Sequence, residues 1–132
     1  MLWHPVKVTR VCGSEHEPVR AVRAFVLDAA AGALAGRVHD VDLGDVDLCA
    51  SEVATNSFIH SASRLSGGGI EVRVLVSGRG LRVEIEDDGG MTLPKVQPED
   101  DARECGRGLM IVEALASAWG YDGGGTTWFE VC

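Results

Sequence analysis

Glu52 and Asn56 stand four residues apart in the run Ser51 to Ser61. On a helix that spacing leaves the two side chains about 40° apart around the axis. Val46, Ala50, Val53, Ala54, Phe58, Ala62 and Leu65 fall on a different, apolar arc. The pair therefore points at the margin of a core rather than into its centre. A carboxylate beside an amide can hold a hydrated Mg2+ and steer a water or a hydroxyl. By themselves the two residues also read as a solvated helix edge.

Asp87 closes the alternating run Leu81-Arg82-Val83-Glu84-Ile85-Glu86. Leu81, Val83 and Ile85 share one face of a strand, and Asp87 falls in the same register. A carboxylate in line with apolar positions needs hydrogen-bond donors. An exocyclic amine such as that of adenine would serve, and Gly89, two residues on, leaves room for a base. The plainer reading is a turn aspartate after a strand. Glu86 and Asp88 are expected to face solvent.

Gly106-Arg107-Gly108-Leu109 opens a helical pattern. Glycines there free backbone N–H groups for an anion, and the helix dipole adds to this. No Gly-Lys-Ser/Thr follows, so this is not a Walker loop. Gly125-Thr126-Thr127 begins the last β-rich run, where a hydroxyl could reinforce Asp87 directly or through a water. Trp128 and Phe129 read as packing residues. A hinge and plain β-propensity are the simpler readings of these two pieces. His60, a turn beyond Asn56, reads as a helix-edge histidine.

The elements that must position these residues follow from periodicity. Val6 to Cys12 alternates as a first strand. Pro18 to Leu34 reads as a helix with Pro18 at its first position and Glu17 or Ser14 near the cap. A polar connector over 36–44 leads to a second helix, Val46 to about Arg64, capped by Asp45. Residues 70–87 read as a β-hairpin turning at Ser77-Gly78-Arg79-Gly80. Residues 89–106, with Pro94, Pro98 and Glu99-Asp100-Asp101, have no clear period, as a functional lid would. A third helix runs from Leu109 to Ser117. Trp119 to Tyr121 and Thr126 to Val131 are two final strands. The order β-α-α-β-β-lid-α-β-β predicts an α+β fold: a two-layer α/β sandwich with a mixed, mostly antiparallel sheet and three helices on one face.

The chain has 132 residues, about one domain, and neither an internal repeat nor a second domain is visible. Its net charge of −8 argues against a basic nucleic-acid footprint and against docking on an anionic membrane. No apolar run approaches the roughly 18 residues of a membrane span. The start is not a signal peptide, so a cytoplasmic location is the expectation. Cys12, Cys49, Cys105 and Cys132 contain no CxxC pair, so free thiols are expected. A zinc site from Cys49, His60 and Cys105 lacks paired ligand spacing.

Taken in order, the motifs become specific: Glu52-x-x-x-Asn56, a hairpin ending Asp87-x-Gly89, a lid, Gly106-x-Gly108 opening a helix, and Gly-Thr in the last strand. This resembles the Bergerat-fold (GHKL) ATPases, the superfamily of gyrase, Hsp90, histidine kinases and MutL. The short form is similar to the anti-sigma-factor serine/threonine kinase branch of bacteria, over about residues 12 to 131. The pieces Ser51 to Ser61, Cys105 to Val112 and Leu115-Ala116-x-x-Trp119-Gly120 carry most of that likeness.

The resemblance implies a single histidine-kinase-like ATPase domain over residues 1–132, with ATP and Mg2+ as cofactors. Asp87 would take the adenine amino group with Thr126 assisting, and Gly89 would lie under the base. Asn56 would coordinate the Mg2+ that bridges the phosphates. Glu52 would be the general base, acting on a partner's serine hydroxyl or on water. Gly106, Arg107 and Gly108, leading into Leu109, would offer backbone N–H groups to the phosphates, with residues 91–105 folding over them. The implied partners are a sigma factor and an anti-sigma-factor antagonist, and the implied assembly is a homodimer. Two positions depart from the family pattern: Met91 stands where a second glycine is usual, and Gly125 where a basic residue is frequent. These departures motivate a second reading, a nucleotide-binding interaction module without kinase activity. A third is a nucleotide-free regulator or metal-binding redox switch that uses the cysteines.

Overall fold

The computed structural model describes residues 2–12, 17–60, 68–78, 80–87 and 109–132, and the side chains of all of these except Ile59 and His60. Strand β1 (His4–Cys12) comes first. It begins two residues before the alternating run, takes in Pro5, and shifts register between Pro5 and Lys7. Proline is tolerated in this way at a sheet edge or a bulge, where no ladder hydrogen bond is lost.

Helix α1 (Pro18–Leu34) has Pro18 in its first turn. Glu17 is the N-cap but makes no side-chain cap bond. Ser14 lies outside the described residues. Val22, Val26, Ala29, Ala30 and Leu34 form its buried stripe, at the 3–4 spacing that a core-facing helix needs.

Helix α2 (Leu43–His60) starts earlier than its apolar pattern suggests. The cap is Asp42, not Asp45. Its Oδ1 accepts from the Gly44 N–H at 2.7 Å and from the Asp45 N–H at 3.3 Å. Asp45 instead sits in the first turn, where a negative charge suits the helix dipole. The expected extension beyond His60 falls outside the described residues.

Strands β2 (Gly69–Ser77) and β3 (Gly80–Asp87) form the hairpin, in register from Ile70↔Asp87 to Ser77↔Gly80. Gly78 adopts φ 53°, the left-handed conformation that a two-residue hairpin turn requires. The proposed lid lies outside the described residues. Helix α3 (residues 109–115) resumes the chain. It is shorter than its pattern because the Ser117 N–H donates to the Glu130 carbonyl at 2.7 Å and turns the chain onto the sheet. Strands β4 (Ala118–Tyr121) and β5 (Thr126–Val131) follow.

The sheet order is β1-β2-β3-β5-β4, and every pairing among the described residues is antiparallel rather than mixed. The three helices and this sheet make the expected two-layer α/β sandwich. Helix α1 packs on β1 and β2, and α2 packs on β3 and β5. Ile70, Val72, Val74, Leu81, Val83, Ile85 and Phe129 line the inner face, and all are fully buried against Val53, Ala54 and Val112 of the helices. Truncation at such positions costs about 2–5 kcal/mol through lost transfer energy and the cavity left behind.

The outer face is charged. Arg73 on β2 donates to Glu84 and Glu86 at 2.9 Å each and to Glu71. Arg82 on β3 bridges Glu84 at 2.8 Å and Glu130, with its guanidinium 4.2 Å from the Trp128 ring centre. No described helix is long and apolar enough to cross a membrane.

Candidate functional site

Glu52 and Asn56 are both half-buried, on the rim of α2 beside the buried Cys49, Val53 and Ala54. Helical phase explains this. Cys49 is adjacent on the helix surface, so the pair lies where the packed arc gives way to the open side. Cys49 is fully buried, and its thiol is pushed up to about 11. Burial is the main cause, followed by the negative charges of Asp45 and Glu52. At neutral pH it is a protonated packing group. His60's side chain and Cys105, the other members of the conceivable zinc set, lie outside the described residues.

The second half of the site is the Asp87 end of the sheet. Asp87 is opposite Ile70 in the β2–β3 register, and Ile70 is fully buried on the inner face. The carboxylate position therefore belongs to the apolar layer under the helices. On its other side the Asp87 N–H donates to the Gly125 carbonyl at 3.0 Å. Gly125 has φ 100°, a backbone conformation that favours glycine. The chain leaves α2 and enters the sheet at Gly69, next to the Ile70–Asp87 pair. Topology thus sets the Asp87 end of the sheet directly after the helix bearing Glu52 and Asn56.

The register separates the two threonines. Thr126 is opposite Glu86 and Thr127 is opposite Ile85. Thr127, not Thr126, shares the inner face with Asp87. Thr126 serves the β4–β5 turn instead. Its N–H donates to Asp122 Oδ1 at 3.2 Å, and the Gly124 N–H donates to the same oxygen at 2.7 Å. These backbone bonds, with the Thr126 hydroxyl and more distant Arg73, hold the Asp122 carboxyl below its usual range. Tyr121, opposite Thr127 on β4, is a third side chain at this end of the inner face. Neither Thr127 nor Tyr121 stood out in the sequence, although the parity of Asp87 with Ile85 would have found Thr127 once β5 was set in register.

Leu109 is the first described residue of α3 and is half-buried. Gly89, Met91, Gly106, Arg107 and Gly108 lie outside the described residues. The residues that are described suit the implied ligands. An inward carboxylate beside a side-chain-free glycine suits a base that presents an amine. Asn56 and Glu52 offer hard oxygen donors. No cluster of three or more His, Cys, Asp or Glu is gathered among the described residues. Mg2+ held mainly by phosphates and waters needs only one or two protein oxygens.

The fold is a two-layer α/β sandwich. The family model for the histidine kinase-like ATPase domain matches residues 13–129, and the chain belongs to that family. A comparison with curated proteins gives no match.

Proposed function

We propose that this chain is an ATP- and Mg2+-dependent serine/threonine protein kinase of the anti-sigma-factor type, which regulates transcription by partner switching. The observation that carries the nucleotide reading is the Asp87 carboxylate on the apolar face, beside a strand position with no side chain. The kinase reading adds Glu52 and Asn56 on the rim of α2, and the anti-sigma-factor assignment rests on the resemblance of the sequence.

In this reading Asp87 accepts from the adenine amino group, and an inner-face threonine supports it. Gly89 lies under the base. The backbone N–H groups of Gly106, Arg107, Gly108 and Leu109 receive the phosphates. Asn56 contributes a ligand to Mg2+, which when bound neutralises phosphate charge. Glu52 takes the proton from a serine hydroxyl of the antagonist as its oxygen bonds to the γ-phosphorus and the bond to the ADP oxygen breaks. Such transfer depends on positioning and charge neutralisation more than on covalent chemistry by the protein. The same surface would bind a sigma factor in the alternate state, and two copies would pair.

Incubation with labelled ATP, Mg2+ and the antagonist domains encoded by the same genome tests this. Transfer to a serine or threonine is expected, and no transfer to any of them would sink the kinase assignment. Thermal shift with ATP and ADP, each with and without Mg2+, tests the binding step separately.

A further inference from the structure

Tyr121 ends the edge strand β4, and its position follows from two registers. It is opposite Thr127, and Thr127 is opposite Ile85, so Tyr121 projects on the same inner face as Asp87. Asp87 lies two residues beyond Ile85 on β3, where its N–H donates to the Gly125 carbonyl of β5. The ionisation of the phenol is raised by partial burial and by the charges of Asp87 and Asp122, and the Gly125 backbone acts in the opposite sense. The residue as a whole remains 44% exposed. An aromatic ring on the face that carries Asp87 and open to solvent has the form of a contact surface for a flat partner.

We propose that Tyr121 is a base-contacting residue of the nucleotide site, its ring covering the β4 side of the purine whose amine meets Asp87. This rests on the nucleotide-binding reading above. The ring supplies the contact.

Titration calorimetry with ADP and with AMP tests the proposal on the full chain. Tyr121→Ala is expected to weaken both ligands by about tenfold, the scale of one base–aromatic contact. Tyr121→Phe keeps the ring and should stay within about threefold of the wild type. The equal effect on AMP and ADP marks a contact at the base rather than at the phosphates. The residue is at the surface, so the melting temperature without ligand should hold in both variants. If the wild type binds ADP, Asp87→Asn weakens binding by tenfold or more and Tyr121→Ala leaves it unchanged, the proposal fails while the nucleotide site stands. A Phe variant as weak as the Ala variant overturns the ring's role. A wild type that binds neither nucleotide overturns both readings.

Discussion

Glu86 and Asp87 are neighbours on β3, and the two faces of the sheet treat their carboxylates differently. Glu86 points outward and accepts from Arg73 at 2.9 Å within a lattice of Arg73, Arg82, Glu71, Glu84 and Glu130. Asp87 points inward, and its cross-strand neighbours are the apolar Ile70 and the side-chain-free Gly125. Outward acids in this molecule come with guanidinium groups already set against them, so their chemistry is completed within the fold. The inward acid lies in line with the apolar layer, opposite Ile70. One strand carries an ion-paired outward carboxylate and an inward one side by side, and only pleat parity separates them.

The largest effect expected on either side of that divide is at Glu52. Glu52→Ala removes the base and should lower phosphoryl transfer to the antagonist by about 10²- to 10⁴-fold while leaving ADP binding intact. A variant with unchanged transfer, measured with labelled ATP, would return Glu52 to the role of a helix-edge residue. It would also favour the interaction-module reading.

Asp87→Asn comes next. Loss of a charge-assisted bond to the base amine should weaken ADP binding by about tenfold to a hundredfold. Glu86→Gln, one residue away, should leave ADP affinity unchanged. Titration calorimetry on the two variants sets the faces directly against each other. Equal losses would mean that the parity argument is wrong.

The comparison also shows what the sequence could and could not reveal. Asp87 was legible because Leu81, Val83 and Ile85 alternate cleanly with polar residues and carry the register into it. Glu52 and Asn56 were legible because their spacing places them beside a well-marked apolar arc. The β5 register was not legible, because Thr126-Thr127 and Trp128-Phe129 are doublets of like residues, and alternation cannot break such a tie. Only pairing with β3, a long-range contact, decides that Phe129 is buried and that Thr127 faces Asp87. Insertion of β5 between β3 and β4 is likewise a tertiary outcome. The start of α2 was ambiguous for a local reason. Asp42 and Asp45 are both competent caps, and the choice fell to the one whose Oδ1 meets two free N–H groups.

On the outer face the lattice should reveal itself in stability and not in binding. Arg73→Met leaves Glu71, Glu84 and Glu86 without their shared donor. It should lower unfolding free energy in urea by about 1–2 kcal/mol, a modest figure for partly exposed pairs. Glu84 supplies the pH signature. Burial opposes its ionisation, but the bonds from Arg73 and Arg82 prevail and hold its carboxyl below the ordinary value. A carboxyl depressed in the folded state contributes stability that is present above its unfolded pKa and lost as pH falls through the folded one. The urea midpoint should therefore decline on acidification below the ordinary carboxylate range, and Glu84→Gln should flatten part of that decline. ADP affinity at neutral pH should be indifferent to both substitutions.

The smallest expected effect is the most discriminating, because it turns on one residue of register. Thr127→Val removes a hydroxyl from the face that carries Asp87 and should weaken ADP by about threefold to tenfold with little change in melting temperature. Thr126→Val removes the hydroxyl that helps hold Asp122 in the β4–β5 turn. It should lower the melting temperature slightly and leave ADP affinity alone. The resemblance assigned the supporting hydroxyl to Thr126, whereas the pairing of Thr126 with Glu86 puts it on the opposite face from Asp87. If Thr126→Val is the variant that loses nucleotide, then β5 shifts by one residue when the base binds. Phe129 would then have to leave the core, at the cost of about 3–5 kcal/mol that burial of a phenylalanine represents. That cost is why the register seen here is expected to hold with nucleotide bound.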